Sequence, residues 1–126
     1  MAGLTLDSGA LIGFERNDRR VLAHLKAELL AGSDITVSAV VVAEVWRGGG
    51  RSARVARLLA SVIIDPVGEA LARTAGEALA RVAGAGTIDA LVMASAAERG
   101  DRVLTADFED LERLRAFFPG VKVLGI

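Results

Sequence analysis

The chain has no cysteine, one histidine and only two lysines among its 126 residues. Without cysteine there are no disulfides and no thiolate metal sites, which fits a reducing cytoplasm. His24, the sole histidine, excludes any reaction that needs two histidines as acid and base. No apolar run reaches the roughly 18 residues of a membrane-spanning helix. No basic segment followed by a long apolar one opens the chain, so no secretory signal is expected. Gly48-Gly49-Gly50 is not followed by Lys-Ser or Lys-Thr, so it is not a phosphate-binding loop.

What is present is a large apolar fraction. Hydrophobic residues make up 52% of the chain and the mean hydropathy is +0.44, too apolar for a disordered segment. A large Ala/Val/Leu core plus a surface that meets a partner accounts for it. Net charge is −1, which gives no overall attraction to nucleic acid. The positive charge is nevertheless clustered: Arg16, Arg19 and Arg20 in one group, and Arg47, Arg51, Arg54 and Arg57 in another. Arginine suits bidentate phosphate contact.

Strand and helix patterns alternate along residues 1–126, which read as a single domain without repeats, linkers or low-complexity tails. Strands are expected at 3–6, 35–37, 62–64, 102–105 and 121–124. Helices are expected after Asp7, over 19–30, from Ser38 as N-cap to about 46, and over 51–60, 69–82 and 87–99 with Thr87 as cap. A last one is expected after Asp107. That order predicts an α/β fold, a small parallel β-sheet flanked by α-helices.

Four acids stand against these apolar segments: Asp7 after Leu4-Thr5-Leu6, Glu44 after Val40-Val41-Val42-Ala43, Asp89 between Ile88 and Ala90-Leu91-Val92, and Asp107 after Val103-Leu104-Thr105-Ala106. A carboxylate beside a core must be hydrogen-bonded, protonated or matched by a cation. In a parallel α/β sheet functional groups gather beyond the carboxyl ends of the strands, where all four can reach. Oxygen-only donors favour Mg²⁺ or Mn²⁺.

Leu6-Asp7-Ser8-Gly9-Ala10-Leu11-Ile12, Val42-Ala43-Glu44-Val45, Ile88-Asp89-Ala90-Leu91-Val92-Met93-Ala94 and Leu104-Thr105-Ala106-Asp107-Phe108 resemble, in order, the motifs of the PIN domain, and most closely those of the VapC toxins of toxin–antitoxin pairs. The resemblance spans nearly the whole chain. It implies a ribonuclease that hydrolyses RNA phosphodiester bonds with Mg²⁺ or Mn²⁺, leaving 5′-phosphate and 3′-hydroxyl ends. It also implies a homodimer silenced by a cognate antitoxin. Carried over by position, Asp7, Glu44, Asp89 and Asp107 are the catalytic, metal-binding acids. Ser8, Thr105 and Asp110 are supporting residues. Arg16, Arg51 and Arg54 are candidates for RNA contact.

Two other readings compete. Asp65, Thr105 and Lys122 loosely match a phosphoacceptor receiver domain, although Asp7 lacks the second acid that such a domain needs beside it. A nuclease-dead binding module is the other, against which all four acids stand intact.

Overall fold

The computed structural model describes residues 2–126. Five strands form one sheet: β1 (Leu4–Leu6), β2 (Ile35–Ser38), β3 (Ile63–Asp65), β4 (Arg102–Thr105) and β5 (Val123–Gly125). Their order is β3-β2-β1-β4-β5 and every pair is parallel. The helices are α1 (Ser8–Glu15), α2 (Arg19–Ala31), α3 (Ala39–Val45), α4 (Ala53–Ser61), α5 (Glu69–Arg81), α6 (Thr87–Arg99) and α7 (Phe108–Leu114).

The central strand β1 is covered on both faces. Leu4, Thr5 and Leu6 are all fully buried, although successive side chains of a strand point to opposite faces. Helix α6 packs against β1, β2 and β4, and α1 against β1 and β4. Consecutive residues Ala90 to Ala96 of α6 are buried, so this helix runs through the core instead of along its surface. Among the described residues no helix is long and apolar enough to cross a membrane.

Several expected boundaries move. The helix expected over 51–60 starts at Ala53, after a single 3-10 turn at Gly49–Ser52. The Ser52 hydroxyl accepts from the amides of Arg47 and Gly48, both at 3.0 Å, and this closes the turn before the helix can begin. The cap of α6 is Gly86, with Thr87 as the first helical residue. Ser38 and Asp107 occupy N-cap positions, but neither side chain makes a capping bond. The last strand starts two residues later than its sequence suggests, at Val123.

Strand order decides where a site can form. The chain leaves β1 toward β2 on one side and returns to β4 on the other. The carboxyl end of β1 is therefore the switch point of the sheet, where a crevice opens. Asp7 is the residue that follows β1.

Candidate active site

Asp7 sits in that crevice, only 1% exposed. Its Oδ1 accepts from the Ser8 amide at 2.8 Å, and its Oδ2 accepts from the Thr105 hydroxyl at 2.9 Å. The same Thr105 oxygen accepts from the Asp107 amide at 2.9 Å. Thr105 thus couples the acid after β1 to the acid after β4. The backbone reinforces this, because the Asp7 amide donates to the Leu104 carbonyl at 3.0 Å. Gly9 permits the approach: a Cβ there would stand 2.5 Å from Ala106 Cβ, so any larger residue would push α1 off the β4–α7 link.

Glu44 reaches the crevice from α3, which packs on α1 and α6. Its Oε1 is buried without a hydrogen-bond partner. Asp89 comes from the first turn of α6. Asp107 and Asp110 are exposed, and Asp110 lies 3.9 Å from the Arg113 guanidinium.

These acids act on one another. Burial raises the Asp7 carboxyl, the Ser8 amide and Thr105 hydroxyl oppose this, and Asp107 adds to it. Glu44 is raised by burial and then by the charge of Asp7; the Ser8 side chain offsets part, and Asp107 adds more. Asp89 is pushed up to about 6, first by burial and then by Asp7, Asp110, Asp107 and Glu44. The four expected acids therefore lie within electrostatic reach of one another, with Asp110 beside Asp89.

The donor set suits a hard divalent cation. All candidate donors are oxygens, and Glu44 Oε1 is an unsatisfied acceptor. Among the described residues, no three His, Cys, Asp or Glu side chains stand close enough to cage an ion as they are placed. Mg²⁺ does not require such a cage, since it keeps several waters and uses one or two carboxylates.

The raised carboxyls make stability depend on pH in a defined direction. A carboxyl raised on folding binds its proton more tightly in the native state than in the unfolded chain. The ion-free fold therefore gains stability as pH falls from above about 6 toward 4, and loses it as pH rises through that window. Thermal unfolding in EDTA should occur at a midpoint roughly several degrees higher at pH 5 than at pH 7.5. Added Mg²⁺ should raise the pH 7.5 midpoint. A midpoint that climbs with pH from 5 to 7.5 in EDTA would show that the acids do not converge.

A family model for the PIN domain matches residues 4–116. The chain belongs to the PIN domain family. PIN domains are generally nucleases and usually use divalent metals. Solved structures agree on the fold. This PIN domain is similar to VapBC2 from Rickettsia felis bound to a promoter DNA fragment, with a TM-score of 0.79, 15% identity and 98% of each chain covered. It is similar to DNA-bound VapBC from Salmonella typhimurium, with a TM-score of 0.75, 16% identity, and 99% of this chain and 98% of that one covered. It is also similar to FitAcB from Neisseria gonorrhoeae, with a TM-score of 0.68, 22% identity, and 97% of this chain and 96% of that one covered. Comparison with curated proteins gives no significant match.

The arginines expected to touch RNA have separate fates in this PIN domain. Arg16 lines a hollow of 390 Å³ beside Ser8 and Asp107. Arg51 is exposed on the 3-10 turn. Arg54 is engaged inside the fold: its Nε donates to the Phe14 carbonyl at 3.0 Å, it bonds the Asn17 side chain, and its guanidinium lies 4.8 Å from the Phe14 ring centre. Asn17 has the left-handed φ of 59°, so Arg54 braces the corner between α1 and α2.

The receiver-like reading does not survive the topology. Asp65 ends the edge strand β3, whereas Thr105 ends β4, with β2 and β1 between them. Thr105 is bound to Asp7. Asp65 accepts from Ser95 at 2.6 Å and from Arg99 at 3.0 Å.

That pairing belongs to a network which sequence reasoning missed. Arg99 also donates to Asp101 at 2.9 Å, to Ser95 at 2.9 Å and to Thr5 at 2.8 Å. Asp101, 4% exposed, further accepts from the Gly3 amide at 2.9 Å and the Thr5 hydroxyl at 2.8 Å. One guanidinium thereby ties α6 to β1, β3 and the entry of β4. Thr5 sits in an apolar strand and Asp101 looks like a turn residue, so only their sharing of Arg99 across the sheet reveals the network.

Proposed function

We propose that this PIN domain is a metal-dependent ribonuclease hydrolysing RNA phosphodiester bonds, and the toxin of a type II toxin–antitoxin pair. The observation that carries the reading is that Asp7, Glu44, Asp89 and Asp107 lie within electrostatic reach of one another beside the switch point, with Asp89 pushed up to about 6, first by burial and then by the neighbouring acids. Such repulsion is tolerated where a cation is meant to bind.

Asp7 and Asp89 are the residues we assign to hold Mg²⁺ or Mn²⁺ directly, with Glu44 next. Asp107, being exposed, acts through water. When bound, the cation lowers the pKa of water and offsets charge on a phosphoryl group. The chain's own groups do the rest. Thr105 and the Ser8 amide fix the Asp7 carboxylate in one orientation. Gly9 and Ala106 keep the floor of the adjoining hollow low, so that a sugar–phosphate backbone can approach the acids.

The toxin role is supported by the toxin–antitoxin complexes among the similar structures. An apolar surface suited to a protein partner supports the reading. A hollow of 370 Å³ between α2 and α4 is lined by Phe14, Leu22, Leu25, Leu29, Ile35 and Leu58, among others. Leu29 and Leu30 beside it are 70% and 80% exposed. We assign this groove to the apolar face of the antitoxin. A homodimer and a cytoplasmic site of action follow from the same reading.

The purified chain with Mg²⁺ or Mn²⁺ should cleave RNA, and EDTA should abolish cleavage. Gel electrophoresis of a labelled transcript checks this. Cleavage undiminished by EDTA would sink the metal-dependent reading.

A further inference from the structure

We propose that Phe108 is a stacking platform for one RNA base beside the scissile phosphate, and that Arg16 anchors a phosphate on the opposite side of Asp107. The proposal rests on the ribonuclease reading and gives that site a direction.

Six large apolar side chains are notably exposed among the described residues: Leu29, Leu30, Trp46, Ile63, Ile64 and Phe108. Of these, Phe108 alone adjoins the acids, as the next residue after Asp107. It is 43% exposed, and one side of its ring is held. A Cβ added at Gly125 of β5 would stand 3.4 Å from Phe108 Cδ1 and 3.7 Å from Cγ. The Cβ–Cγ–Cδ1 side of Phe108 therefore lies close to the bare backbone of the last strand, while much of the residue stays open to solvent. An aromatic ring fixed on one side and wet on the other is what base stacking requires.

Charge decides which part of a nucleotide goes where. Asp107 separates two hollows. The one on the Phe108 side, of 360 Å³, is lined by Ala106, Asp107, Phe108, Glu109 and Asp110. Two further carboxylates there repel a phosphate, whereas an uncharged base meets no such penalty. The hollow on the other side carries Arg16 and Arg20 along with Ser8 and Gly9. Arg20 is partly neutralised by Asp18 at 3.2 Å, while no ion pair engages Arg16 among the described residues. The backbone thus runs toward Arg16 and the base on the far side rests on Phe108. Each base presents a π-face, so Phe108 strengthens binding without selecting sequence.

The test separates stacking from mere packing. Phe108→Leu keeps an apolar side chain of similar bulk and should raise KM for single-stranded RNA by roughly 5- to 100-fold, with kcat nearly unchanged and an unaltered unfolding midpoint. Phe108→Tyr should restore the parental KM. Arg16→Gln should also raise KM and should lessen the salt dependence of binding by about one phosphate contact. Phe108→Trp in a Trp46→Phe, Asp89→Asn background provides a single indole, which oligouridylate should quench. If oligouridylate binds, by anisotropy, without quenching, and Phe108→Leu leaves KM unmoved, the stacking role is overturned while the nuclease reading stands. If Phe108→Leu disrupts self-association or antitoxin binding but not KM, the ring serves a protein contact and the proposal fails. If the parent chain cleaves no RNA at all, the ribonuclease reading fails, and the fluorescence measurement still decides whether Phe108 stacks on a base.

Discussion

Asp89→Asn should eliminate Mg²⁺-dependent RNA cleavage and at the same time stabilise the ion-free protein. The two effects share one cause. Asp89 carries a carboxyl raised to about 6 by burial and by Asp7, Asp110, Asp107 and Glu44, so at pH 7.5 the empty fold holds a charge in a place that disfavours it. Asn keeps the shape and removes the charge. The stability gain should be about 1–3 kcal/mol at pH 7.5. Activity should fall further than the roughly 10- to 100-fold loss typical when a partner of a metal ligand is removed, because the proposed function assigns Asp89 as a ligand itself. Asp7→Asn should abolish cleavage as completely without the same stability gain. Its amide would face Thr105, whose hydroxyl now donates to Asp7 Oδ2 and accepts from the Asp107 amide. An amide donor at that position leaves the Thr105 proton without its acceptor, at a cost of roughly 1–3 kcal/mol. Single-turnover cleavage and thermal unfolding in EDTA, measured on the same preparations, check both statements. An Asp89→Asn variant that cleaves like the parent would remove this acid from the site.

The largest effect on stability is expected far from the chemistry, at Asp101. This carboxylate is almost fully buried and accepts from the Gly3 amide, the Thr5 hydroxyl and Arg99. Asp101→Ala strands three donors at once and leaves Arg99 short of one of its two carboxylates. Removing one partner of a buried pair costs about 3–5 kcal/mol, and for a chain of this size the midpoint should fall by roughly 10–20 °C. The exposed pair Arg73–Glu69, at 2.6 Å with both side chains three-quarters exposed, is the contrast: Glu69→Ala should change stability by no more than about 0.5 kcal/mol. Urea titration of the two variants makes the comparison. A loss below about 1 kcal/mol for Asp101→Ala would mean that the network is ornamental to the fold.

Much of this was readable along the chain because it is local. Alternation of strand and helix, the glycine stop at Gly100 with its left-handed φ of 72°, and the four acids each at the rim of an apolar segment are properties of short stretches. The start of α4 slipped because a side chain a few residues on closed a turn first. Ser52 bonds the Arg47 and Gly48 amides and delays α4.

Sequence by itself determined the class of fold and the order of its elements, since these follow from periodicity and from residue type, and it marked four acids as candidates. It could not show that Arg54, one of its candidates for RNA contact, bonds Phe14 and Asn17. Only the tertiary structure decided which residues share a surrounding. Strand order β3-β2-β1-β4-β5 brings Asp7 and Asp107, a hundred positions apart in sequence, onto one threonine, and keeps Asp65 away from both. Electrostatic coupling, burial and stacking depend on distance in space, and that distance is fixed by how parallel strands are ordered, which no local pattern of residues encodes.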